Sequence, residues 1–95
     1  MIAVKSPAFQ LGVVVATPQA LLALAKSGTP AWALLSRHVS CDFGSELDAE
    51  DVQANHDAIR EGERILSVYT VAGERLYVIT EADRSSTTIL AVWEY

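Results

Sequence analysis

The spacing of apolar and polar positions changes along the chain, and each change marks a predicted element. Residues 11–16 (LGVVVA) are a short apolar run rich in β-branched side chains, which predicts a strand. From Thr17-Pro18 the apolar positions recur at helical spacing. Thr17 can cap a helix, and Pro18 suits its first position, where a missing N–H costs nothing. This helix runs through QALLALAK to Ser27-Gly28. Leu21, Leu22, Leu24 and Ala25 cover a wide face, so the helix is expected to be largely buried. Thr29-Pro30 repeats the start signal, and AWALLSRHV predicts a second helix with Leu34, Leu35 and His38 on one face. CDFGSEL reads as a loop from its Asp, Gly and Ser content. Asp48, with Asp51 three residues on, resembles a capping box and opens a third helix, AEDVQANHDAIRE. Val52, His56 and Ile59 line one side of it, and Gly62 ends it.

From residue 64 the period falls to two. ILSVYTV, RLYVITE and TTILAVWE read as three strands of an antiparallel meander. Ala72-Gly73 forms the first turn, where glycine permits positive φ, and ADRSS the second, where Asp83 can bond its own backbone. Pairing Val71 with Glu74 places Ile65, Ser67 and Tyr69 on one face with Leu76, Val78 and Thr80. Leu66, Val68, Tyr77 and Ile79 take the other. Both faces are substantially apolar. One is expected to carry the helices, and the second to be covered by the N-terminal arm or offered to a partner.

The predicted fold is a single α+β domain over residues 1–95. An N-terminal strand and three short helices pack on one face of an antiparallel three-stranded C-terminal meander, giving a four-stranded sheet overall. Leu21, Leu24, Leu34, Leu35, Val52 and Ile59 are the expected covering side chains.

Charge narrows the function. The net charge is −5, so wrapping a nucleic-acid backbone is not expected. The charges are unevenly spread: residues 42–63 hold eight acidic side chains against Arg60 alone, a net of −7. A solvated helix surface explains that block, and a docking face for a basic partner is the functional alternative. A lone cysteine, Cys41, cannot form an internal disulfide, which fits a reducing, cytoplasmic compartment. The N-terminal apolar run is too short to span a membrane, and neither a membrane role nor a cleaved signal is expected.

Candidate chemistry is sparse. His38, Cys41, Asp42 and His56 are zinc-ligand types and form a candidate polar cluster, but one H-x-x-C pair is far weaker than paired cysteines. Cys41 follows a helix instead of starting one, so it lacks the field that would activate a thiolate. Satisfied histidines bordering a core are the plainer reading, and no metal, cofactor or catalytic residue is assigned. Arg84, Ser85 and Ser86 form a candidate anion site in a polar turn. Tyr69, Tyr77 and Trp93 are candidate interface residues, since aromatic rings carry contact area with a polar tip.

The stretches LGVVVATPQALLAL, RHVSCDFG, LDAEDVQAN and ERILSVYTVAGERLYVITEADRSSTTIL resemble a family of short, uncharacterised bacterial plasmid- or phage-related proteins, over about residues 11–95. Some members carry a label taken from type I restriction methylase subunits. No Gly-rich cofactor loop accompanies that label here, and the chain is too small for a methylase domain. The resemblance implies a mobile-element setting and supplies no catalytic residues. Gln19 stands where the family pattern has glycine. A second likeness, to small ribonuclease toxins whose helices lead into an antiparallel sheet, is architectural. The expectation is a non-enzymatic protein-interaction or accessory protein with a protein partner, self-associating as a homodimer. A small nucleic-acid-associated regulator, or a hydrolase or nuclease, is the alternative.

Overall fold

In the computed structural model, which describes residues 6–95, the chain runs β1 (Val13–Ala16), α1 (Pro18–Ser27), α2 (Ala31–Val39), α3 (Ala49–Glu61), β2 (Ile65–Val71), β3 (Glu74–Thr80) and β4 (Ser86–Ala91). A single 3₁₀ turn, Val92–Glu94, follows. The ends of α1 and α3 are set as the sequence predicts, whereas α2 departs from the Thr29-Pro30 signal: Pro30 itself is the N-cap, and no side chain caps the helix. Thr17 Oγ1 accepts from the Ala20 N–H, and Asp48 Oδ1 accepts from the Asp51 N–H at 2.8 Å. Gly28 and Gly62 close α1 and α3 in the left-handed region, at φ 66° and 72°.

The four strands form one sheet in the order β1-β4-β3-β2. β2, β3 and β4 make the expected antiparallel meander, and Val71 pairs with Glu74. β1 lies parallel to β4, so the sheet is mixed. Hairpin turns force β2, β3 and β4 to alternate in direction. β1 is joined to β2 by three helices, so no tight turn constrains its direction.

Ser67, Tyr69, Val71, Leu76, Val78, Thr80, Thr87, Ile89 and Ala91 point to the helix side and are buried. Ala20, Ala23 and Leu24 of α1 and Leu34 of α2 pack on them. The expected role of Leu21 and Leu22 is corrected here, because they are 53% and 49% exposed. Ala20 and Ala23 face the sheet in their place, and their small side chains let α1 approach closely. A second cluster joins Phe9, Phe43, Ala58 and Ile65, with Val39, Leu47, Val52 and Ile59 around it. It seats α3 beside β2. The arm lies on this helix side, where Phe9 is buried and the Ala8 N–H donates to the Val39 carbonyl. The part of the arm at residues 1–5 falls outside the described residues. The C-terminal residue reaches the other face: Tyr95 meets the Tyr77 ring edge-on at 5.6 Å, and its hydroxyl accepts from Arg64.

Candidate interaction surface

The candidate polar residues do not gather at one place. His38 sits on α2 with no exposed surface, facing the sheet. Its Nδ1 lies 2.6 Å from Ser67 Oγ, and its Nε2 lies 2.9 Å from Thr80 Oγ1. Thr80 Oγ1 is 2.7 Å from Thr87 Oγ1, which donates to the Leu11 carbonyl at 2.8 Å. That carbonyl can only accept, so the direction of each bond back to His38 Nε2 follows. Thr87 spends its proton on Leu11, Thr80 therefore donates to Thr87, and His38 Nε2–H donates to Thr80. Burial disfavours the charged imidazolium and pushes its pKa down to about 4, so the ring is neutral with its one proton on Nε2, which leaves Nδ1 to accept from Ser67. Every atom of this chain is satisfied, and the Phe9 ring closes over the imidazole at 5.0 Å. The arrangement crosses the sheet from β2 to the residues entering β1 and ties them together.

Cys41 is half-buried in the second core cluster, at φ 65°. Asp42 is exposed and pairs with Arg37 at 2.7 Å, which holds its carboxyl below the usual range. The Asp42 carbonyl accepts from Tyr69 Oη at 2.6 Å, and the Arg37 guanidinium lies 4.4 Å over the Tyr69 ring. Burial raises the Tyr69 pKa to about 12. His56 is exposed on α3 and meets Phe43 edge-on at 5.6 Å. Among the described residues no group of three His, Cys, Asp or Glu side chains is placed to hold a metal ion.

Arg84 directs its guanidinium at backbone carbonyls: Nη1 donates to Glu63, Glu81 and Ala82, and Nη2 to Ala58. It ties the end of α3 to the β3–β4 turn. Ser85 serves the same turn, its N–H donating to Asp83 at 3.0 Å. Ser86 opens β4 opposite Val13. Of the candidate interface residues, Tyr69 is 2% exposed on the helix side, so it belongs to the core. Tyr77 is half-buried on the outer face, and Trp93 is exposed, donating to Glu74.

Two surfaces emerge, the first on the sheet face that the sequence left for the arm or a partner. The first is a groove of about 300 Å³ between α3 and the outer face of the sheet. Leu66, Val68 and Tyr77 form its floor, and Leu47, Asp51, Ala54 and Asn55 its wall. α3 carries Glu50 and Asp51 in its first turn, so the wall is acidic. The second is the edge of β1, where Val13, Val14 and Val15 are 67%, 42% and 47% exposed. The floor and the acidity of the first were legible, but their juxtaposition had no local signal, nor did the open edge, because both depend on which elements lie side by side. The partners of His38 did have one: Ser67 and Thr80 are polar residues at core-facing strand positions.

No family model, no curated protein and no solved structure matches this chain. The fold and surface define a small α+β domain with a mixed four-stranded sheet. No helix among the described residues is long and apolar enough to cross a membrane.

Proposed function

We propose that this chain is a non-enzymatic protein-interaction or accessory protein of a mobile-element or host setting. In this reading the groove between α3 and the outer sheet face receives a basic partner segment with an apolar anchor. The supporting observation is the juxtaposition of an apolar floor at Leu66, Val68 and Tyr77 with a segment, residues 42–63, of net charge −7. An apolar side chain gains by leaving water in such a groove, and the acidic wall selects its neighbours by charge. The nucleic-acid reading has less support, since the same wall repels a phosphate backbone. The hydrolase reading has less support as well, because His38 is buried and neutral and Arg84 is engaged by carbonyls.

The test uses two synthetic amphipathic helical peptides with one apolar pattern, one carrying arginines and the other glutamates. Amide chemical shifts report where each binds. The basic peptide is expected to move the groove residues, with affinity falling as salt is raised. Asp51→Asn should weaken it, and Ala54→Arg, at an exposed wall position, should block it. Equal binding of both peptides, or shifts that avoid the groove, would overturn the reading.

A further inference from the structure

The sheet has two edges, and the described residues close only one. On β2 the outward N–H and C=O of Leu66 are both taken by the Asn55 side chain, at 3.1 and 2.7 Å. The next outward N–H, of Val68, donates to the Phe43 carbonyl at 3.0 Å. On β1 the N–H groups of Val13 and Thr17 donate to Ser85 and Ile89 of the β4 side. Strand alternation therefore turns the N–H and C=O of Val14 and Ala16 outward. Among the described residues, no group bonds them. The strand also lacks the usual protections of an edge, such as lysine, proline or a bulge.

We infer that β1 pairs antiparallel with β1 of a second copy of this chain, about a two-fold axis at Val14, to give a continuous eight-stranded sheet. Val14 and its symmetry mate form a hydrogen-bonded pair, and Val13 then faces Val15 of the other copy on both sides of the axis. Val13 and Val15 pair with Ser86 and Thr88 and share the outer face, so four valines meet there. Val14, beside Thr87, lies on the helix side, where the half-exposed Leu21 and Leu22 of α1 extend the apolar surface.

A second copy is the self-complementary occupant, and charge does not oppose it at this edge. Two molecules of net charge −5 repel wherever acidic surface meets, and residues 6–25 contain no charged side chain. The same contact satisfies the open edge of both copies at once and leaves no further edge, as a closed two-fold interface does. The strand pair is short, so association is expected to be weak and concentration-dependent.

The experiment is sedimentation of the full chain over a concentration series, with circular dichroism to monitor folding. The mass should rise from 10.3 kDa toward twice that value. Val15→Lys, at an exposed position, should weaken association by at least about tenfold. Val14→Pro should do the same, because it removes an outward N–H that the monomer does not use. Ala54→Arg, in the α3 groove, should leave the dimer intact. Should Val14→Pro unfold, Val15→Lys decides alone. A chain that stays monomeric throughout overturns the inference, as does a dimer that both edge variants leave unchanged. A monomer that dimerises only after deletion of residues 1–5 also overturns it, by showing that the arm covers the edge.

Discussion

The two edges of the sheet teach opposite lessons about how a strand is finished. At β2, Asn55 supplies both a donor and an acceptor to Leu66, and the loop before α3 presents the Phe43 carbonyl to Val68. The approach is so close that a Cβ on Gly44 would lie 1.8 Å from the Val68 carbonyl oxygen, and Gly44 sits at φ +93°. At β1 nothing comparable approaches the outward side among the described residues. One edge is thus an internal seam, built from residues on α3 and its preceding loop. The other is a surface. Between them runs the buried chain from Ser67 through His38, Thr80 and Thr87 to Leu11, so the two edges share one rigid interior.

The largest expected effects break the guarded edge. Gly44→Val adds a branched side chain where even one carbon collides with backbone, at a φ that β-branched residues avoid. A loss of about 3 kcal/mol in urea denaturation is expected, and a change below about 1 kcal/mol would show that the loop yields easily.

A comparable loss should follow acidification, through the interior that joins the edges. The His38 pKa is lowered from 6.5 to about 4 by burial, so below pH 6.5 the unfolded chain binds a proton that the folded chain does not. Stability is full above pH 6.5 and falls as the pH drops toward 4, by about 3 kcal/mol in total. The lowered carboxyls of Asp42, Asp57 and Asp83 lose their contributions at more acid pH, as they protonate below their ordinary 3.8. The two windows are therefore separable. Denaturation curves at several pH values check this, and a flat profile between pH 6.5 and 4 would show that the ring takes a proton inside the fold. In a His38→Leu variant the first window should vanish.

Asn55→Ala should cost about 2 kcal/mol, since it removes both bonds to Leu66 and leaves buried backbone groups without partners. It should also make β2 an edge like β1, so hydrogen exchange at Leu66 should quicken well ahead of exchange at β3 and β4. The smallest effect belongs to the open edge. Val15→Lys should change monomer stability by no more than about 0.5 kcal/mol, because its side chain is 47% exposed. A large loss at that position would mean that β1 is covered within one molecule, and the contrast between the edges would fail.

Much of this was legible in the sequence because it rests on local physics. The caps at Thr17 and Asp48, the left-handed ends at Gly28 and Gly62, the two hairpin turns and the Val71–Glu74 register all follow from neighbouring residues and a period of two. The same period placed Ser67 and Thr80 together on one face, which the structure makes the core face, where they meet His38. α1 was harder to orient. It is apolar almost all round, so periodicity could not tell that Ala20 and Ala23 face the sheet while Leu21 and Leu22 do not. The register set Tyr69 and Tyr77 on opposite faces, but periodicity could not tell which face the helices cover, so both were candidate interface residues; Tyr69 is core and Tyr77 is groove floor.

The sequence by itself determined the elements, their order and the pairing of the meander, because capping, turn chemistry and alternation act over a few residues. Only the tertiary structure decided that β1 runs parallel to β4. It also decided that Arg84 is engaged by four carbonyls, and that Asn55 guards one edge while no described residue bonds the outward side of the other. The reason is one of range. Asn55 reaches Leu66 across 11 residues and Arg84 reaches Glu63 and Ala58 across 21 and 26, and no local preference of Asn55, Arg84 or Val14 says which backbone groups the fold will bring beside them.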